Sequence, residues 1–248
     1  STVNSGETSN DSTISLTFTS SESTTNFVKD DITISSGSLS NLSGSGTTYT
    51  ATLTPSEDTT YTISVAQNKF TDSAGNNNSA SNTFTWTYDS TSPTMTISSS
   101  TVNSGETSND STISLTFTSS ESTSNFIESD ITISGGSLSS FSGSGTTYSA
   151  TLTQSGDATY TISVAADKFT DSVGNNNSAS NTFTWTYDSI SPTMTISSST
   201  VNSGETSNDS TISLTFTSSE ATTNFIKDDI TISGGSLSSL SGSGTTYT

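Results

Sequence analysis

The chain has 248 residues, of which 62 are Ser and 53 are Thr, and it contains no Cys, His or Arg. Against 23 Asp and Glu stand only Lys29, Lys69, Lys168 and Lys227, so the formal net charge is −19. These counts exclude imidazole and thiol chemistry and the usual zinc, copper and haem ligand sets, and they leave too few cations to neutralise a nucleic-acid backbone or an anionic membrane surface.

A hydrophobic share of 26% beside strong negative charge raises the prospect of disorder, and the arrangement of the apolar residues decides against it. Ile14, Leu16 and Phe18 occupy every second position, so a strand over 13–19 puts them on one face and the hydroxyls on the other. Further strands are expected at 31–35, 38–43, 48–54 and 60–66, then at 82–88 through Phe84, Trp86 and Tyr88, and at 94–98 through Met95 and Ile97. Between them lie turn-formers: Ser36-Gly37, Ser43-Gly44-Ser45-Gly46 and the stretch from Asp72 through Gly75 to Asn78. Thr supports both faces of such strands because its Cβ is branched. Expected inward residues are Ile14, Leu16, Phe18, Ile32, Ile34, Leu53, Ile63, Val65, Phe84, Trp86, Met95 and Ile97. No apolar run approaches the roughly 18–20 residues of a transmembrane helix, so membrane insertion is not expected.

The pattern repeats. Val3-Asn4-Ser5-Gly6-Glu7 returns at Val102 and Val201, a period of 99 residues, and residues 1–99 differ from 100–198 at 15 positions. That period is the size of a whole β-sandwich. The expected fold class is all-β: tandem immunoglobulin-like sandwiches with about seven strands per module. Modules are expected at 1–91, lacking a first strand, at 92–190, complete, and at 191–248, the first half of a third. Such incomplete ends suggest an excerpt of a longer array, or strand exchange between chains. The junction Asp89-Ser90-Thr91-Ser92-Pro93, with its partner Asp188-Ser189-Ile190-Ser191-Pro192, joins one module directly to the next and is too short for a floppy tether.

In order and spacing, several segments resemble the bacterial immunoglobulin-like repeats of giant secreted adhesins and biofilm proteins. They are Ser92-Pro93-Thr94-Met95-Thr96-Ile97, the run Leu16 to Glu22, Asp31-Ile32-Thr33-Ile34, the turn Phe70 to Asn76, and Tyr88-Asp89. The resemblance implies tandem extracellular sandwiches forming a stalk or fibre shaft, frequently stiffened by Ca²⁺ between modules, without catalysis. The expected partners are neighbouring modules of the same array and further copies in a fibre, not nucleic acid.

Strand alternation sorts the acidic loops onto two poles. Glu7, Asp11, Asp58 and Asp89 of one module would then face Glu121, Asp130 and Asp171 of the next. The repeat extends this ligand set to Glu106, Asp110, Asp157, Asp188, Glu220 and Asp229. Converging carboxylates repel by about 1–4 kcal/mol per close pair in wet surroundings, and Ca²⁺, which takes six to eight oxygen ligands, removes that cost. The competing reading is a solvated acidic surface that keeps the chain soluble.

Trp86 and Trp185 share parity with inward neighbours and read as core rather than as sugar platforms. A glycan-, ice- or mineral-binding module that grips through its loops or Thr faces is the alternative function; twisted sheets argue against a flat ice lattice. Asn10, Asn41, Asn77, Asn109, Asn176 and Asn208 begin Asn-x-Ser sequons in expected loops, although an Asn- and Ser-rich chain forms many by chance. Lys69 and Lys168 read as snorkelling over Phe70 and Phe169 rather than forming isopeptide bonds. No neutral-pH base accompanies the many hydroxyls, and no enzyme is expected.

Overall fold

The computed structural model describes residues 2–248, and the chain divides into two compact units, one running to Asp188 and the other spanning Ser189–Thr248. The first unit contains two copies of one β-sandwich. Its first copy holds β1 (Glu7–Ser9), β2 (Ile14–Thr24), β3 (Ile32–Ile34), β4 (Ser38–Leu39), β5 (Ser43–Thr54), β6 (Thr59–Val65) and β7 (Phe84–Tyr88). One sheet is ordered β2-β5-β4 and the facing sheet β1-β7-β6-β3. The second copy holds β8 (Met95–Ser99), β9 (Thr107–Ser108), β10 (Thr112–Thr123), β11 (Ile131–Ile133), β12 (Ser137–Thr153), β13 (Ala158–Val164) and β14 (Phe183–Tyr187). Its sheets run β12-β10-β8 and β11-β13-β14-β9. The immunoglobulin-like all-β class read from the alternation is the class observed.

The expected strands exist, but β4 ends at Leu39 and β5 begins at Ser43, inside the expected turn, and three further differences stand out. First, Glu7–Ser9 and Thr107–Ser108 are short strands that pair parallel to β7 and β14, where the sequence suggested loop. The tryptophans hold them in place: the Trp86 indole N–H donates to Ser9 Oγ and that of Trp185 to Ser108 Oγ, both at 3.0 Å. A three-residue Glu-Thr-Ser segment has no apolar alternation from which this pairing could be read. Second, the strand expected at 13–19 runs on to Thr24 through a register shift between Thr19 and Thr24, repeated between Thr118 and Thr123. Third, in the second copy the strand after Ser137 continues as a single 17-residue element. Within it, Gly143 has φ 134°, and a Cβ there would lie 2.4 Å from the Thr147 carbonyl oxygen, so only glycine fits.

Both cores centre on the tryptophan. Trp86 and Trp185 are fully buried and pack against Tyr61 and Tyr160 with ring centroids 5.5 and 5.4 Å apart. A second aromatic cluster gathers around Phe126, which touches Phe117, Phe141, Tyr148 and Phe169. Expected core residues Phe18, Ile32 and Phe84 are only half-buried, whereas their counterparts Phe117, Ile131 and Phe183 are buried. In the second core β8 supplies Met95 and Ile97 as a cover, and among the described residues no strand pairs with the equivalent edge of β2.

The second unit contains β15 (Met194–Ser198), β16 (Leu214–Thr222) and β17 (Gly242–Tyr247) in one sheet of that order. Among the described residues no second sheet forms in this unit, and Met194 is 37% and Ile196 63% exposed. Among the described residues no helix is long and apolar enough to cross a membrane.

One buried amide closes the loop between β13 and β14. Asn177 accepts the N–H groups of Lys168 and Phe169 at 2.7 and 2.9 Å and donates to the carbonyls of Ala165 and Ser178, both at 2.8 Å. Asn177→Ala leaves the buried Phe169 N–H without its partner, and a loss of about 1–3 kcal/mol is expected in chemical denaturation, against near-neutrality for the exposed Asn176→Ala.

Candidate functional site

The acidic residues singled out by the sequence divide by what they touch. Glu7 accepts the backbone N–H and the side-chain amide of Asn4, both at 2.7 Å, and Glu106 makes the same pair with Asn103. The side-chain amide, then the backbone donor, holds each carboxyl below its ordinary value. Asp11 accepts the Ser9 hydroxyl at 2.8 Å. Asp130 and Asp229 each accept a backbone N–H three residues earlier, from Ile127 and Ile226, and so close a single turn of 3₁₀ helix. Asp110 is half-buried beyond β9, Asp157 lies in the turn before β13, and Glu220 is half-buried on β16. Asp188 ends the first unit and Glu220 lies in the second. The six sequon asparagines are all exposed.

Asp58 belongs to the junction. Its carboxylate accepts the Ser90 N–H at 3.0 Å, the Ser90 hydroxyl at 2.7 Å and the Thr91 hydroxyl at 2.6 Å. The Thr91 and Ser90 hydroxyls hold its pKa below the ordinary aspartate value. Asp89 in turn accepts the Thr91 N–H at 3.1 Å. The short linker is thus fastened to the turn between β5 and β6, which removes most of its freedom.

Three carboxylates meet across this junction. One oxygen each of Asp89, Glu121 and Asp171 lies within 4.8 Å of the others, and Asp171 is buried while the other two are half-buried. Asp89 comes from the end of β7, Glu121 from the register-shifted stretch of β10, and Asp171 from the loop between β13 and β14. A bulged strand re-aims its side chains, which explains how Glu121, expected in a loop, comes to stand on a strand beside this loop.

Asp171 is held by its own turn. Its Oδ1 accepts the N–H groups of Val173, Gly174 and Asn175 at 2.9, 2.7 and 2.9 Å, and its Oδ2 accepts the Asn175 amide at 2.9 Å. One Oδ2 lone pair is left over. Asn175 also donates to the Asp89 carbonyl at 3.0 Å and accepts from the Asn10 amide at 3.2 Å, so a single side chain ties the second module to two points on the first. This tie was not read from the sequence; the signal for it is the Asp-x-x-x-Asn spacing around a glycine, which also forms in the first module as Asp72 and Asn76.

Burial first, then the negative charges of Asp89, Asp171 and Asp58, raise the Glu121 pKa above its ordinary value. Three hard oxygen donors supply part of the six to eight ligands that Ca²⁺ takes, and the absence of nitrogen or sulfur donors suits it. By donor chemistry and spacing the cluster fits a hard divalent cation.

The model of the bacterial Ig-like domain matches residues 1–88, 89–187 and 188–248, so it covers the chain from end to end in three tandem copies. No curated protein matches the chain. The chain belongs to the bacterial Ig-like domain family. Tandem domains of this kind have structural or surface-associated roles, are typically surface or extracellular, and are generally non-catalytic.

In a chelating buffer, Glu121→Gln removes a like-charge repulsion and is expected to raise the melting temperature by about 2–4 °C, as about 1 kcal/mol does in a protein of this size. The pH dependence follows from the two opposed shifts. Glu121, with its folded pKa raised, binds its proton more tightly in the folded state, so stability rises as pH falls from neutral through that value. Asp58, with its folded pKa lowered, contributes stability above its unfolded value and loses it as pH falls further. Thermal melts across pH are expected to pass through a maximum on the mildly acidic side, and Glu121→Gln is expected to flatten its neutral limb.

Proposed function

We propose that this chain is a stretch of an extracellular stalk or fibre shaft, built of tandem Ig-like modules, that projects an adhesive or other terminal domain from a cell surface. The observation that carries this reading is the junction between the first two modules. The linker is held at Ser90 and Thr91 by Asp58 and Asp89, and Asn175 ties the second module to Asn10 and to the Asp89 backbone. A shaft needs such junctions, because freely jointed modules gain reach only as the square root of their number.

Calcium completes the reading. Asp89, Glu121 and Asp171 would hold it, with backbone oxygens and water filling the remaining positions. Its charge would turn the repulsion among these carboxylates into a bridge between modules.

Calcium is expected to raise the melting temperature and, in small-angle scattering, to give a narrower and more extended distance distribution than chelator does. Half-saturation is expected at about 0.1–1 mM, the range of extracellular calcium modules. Glu121→Gln should abolish both responses. Identical melts and scattering with calcium and with chelator would remove calcium from the proposal.

A further inference from the structure

Asn125 sits where the end of β10 meets the loop between β13 and β14, the loop whose Asn175 contacts the first module. Its Oδ1 accepts the Thr123 hydroxyl at 2.9 Å and the Thr170 N–H at 3.0 Å, and its Nδ2 donates to Thr170 Oγ1 at 3.3 Å. Its own N–H donates to Thr123 Oγ1 at 3.4 Å. An amide suits this position because it offers acceptor and donors within one rigid plane.

The core holds Asn125 in place. Thr123 is 3% exposed, and its carbonyl accepts the Tyr148 hydroxyl at 2.8 Å. Tyr148 packs edge-on against the buried Phe126, the residue after Asn125. Asn125 is itself exposed, but its neighbours on either side are anchored.

Asn125 in turn holds the neck of the loop. Thr170 bridges to Asn176 and closes the loop between them. Asp171 follows Thr170 directly and orients the Asn175 amide through Oδ2 at 2.9 Å. Asn175 then reaches the Asp89 carbonyl and the Asn10 amide. Hydrogen bonds keep their strength only within a narrow range, about 2.7–3.2 Å, so these two contacts form only while the neck keeps its place against β10. The first module repeats the latch: Asn26 forms the same four bonds with Thr24 and Thr71 at 3.0 to 3.4 Å. None of the hydrogen bonds described at the Asp89 junction comes from that loop.

We propose that Asn125 is a positioning residue for the junction, and that its amide carries the rigidity of the second core to the loop that docks on the first module. This rests on the reading of the junction as stiff. Loss of the amide at an exposed site leaves the module folded and frees the loop at its neck. The two bonds of Asn175 to the first module are then too few to fix one module against the other.

Pulsed electron spin resonance on the full chain in EDTA tests this without a junctional cation. The chain has no cysteine, so Thr33→Cys and Thr132→Cys, exposed and equivalent in the two modules, carry the only spin labels. A narrow distance distribution is expected for this labelled chain. Asn125→Ala should widen it about twofold, towards the domain motion that a small polar interface ordinarily allows. Asn26→Ala removes the same side-chain bonds from the first module and should leave the width unchanged. Thr170→Val removes only the hydroxyl arm of the latch, should widen the distribution less, and carries the test should Asn125→Ala not fold. A broad distribution before any of these changes sinks the stiff-junction reading itself. A narrow one that Asn125→Ala and Thr170→Val leave unchanged overturns the positioning role alone, and so does equal widening by Asn26→Ala.

Discussion

Each sheet of this chain has one apolar face, because its strands alternate hydroxyl and hydrocarbon side chains residue by residue. A sheet of that kind is stable only when a second sheet closes over it. With no disulfide available, burial between the two sheets carries the module, and it concentrates on a few large side chains. Trp86 and Trp185 do more than fill space. Their rings pack on Tyr61 and Tyr160, and their indole N–H groups donate to the short parallel strands that lie beside them at the edge of the same sheet. The buried centre therefore also fixes the rim from which the acidic segments project.

The two near-identical copies in the first unit form a natural comparison. They differ at few positions, yet Phe117, Phe169 and Phe183 are buried while Phe18, Phe70 and Phe84 are half-exposed. The burial in the second copy comes from one five-residue strand, through Met95 and Ile97 and through the Asn181 amide that grips its backbone. Edge strands contribute to a sandwich out of proportion to their length, because each closes the last open side of a core that is otherwise complete.

The acidic residues show how far pattern reading reaches. Their sorting onto poles followed from strand alternation alone, and Asp89, Glu121 and Asp171 do meet. Glu7, Glu106, Asp11 and Asp130 have the same chemistry and were grouped with them, but each is engaged by its own loop: an Asn side chain, a Ser hydroxyl, or the N–H group that starts a 3₁₀ turn. Local partners form at little entropic cost, and Asp171 and Asp89 have them too; what sets these two apart is that the loop between β13 and β14 packs on the end of β7. Asn175 was the less visible participant, because its role depends on what the neighbouring module brings against it.

By itself the sequence determined the all-β class, the 99-residue period, the positions of most strands and the burial of the tryptophans. All of these follow from period-two alternation and turn chemistry, which act between residues close along the chain. Only the tertiary structure decided the parallel pairing of Glu7–Ser9 and the bulge that carries Glu121 toward Asp89. Those depend on contacts between residues dozens of positions apart, and local alternation carries no record of which distant edge a strand will meet.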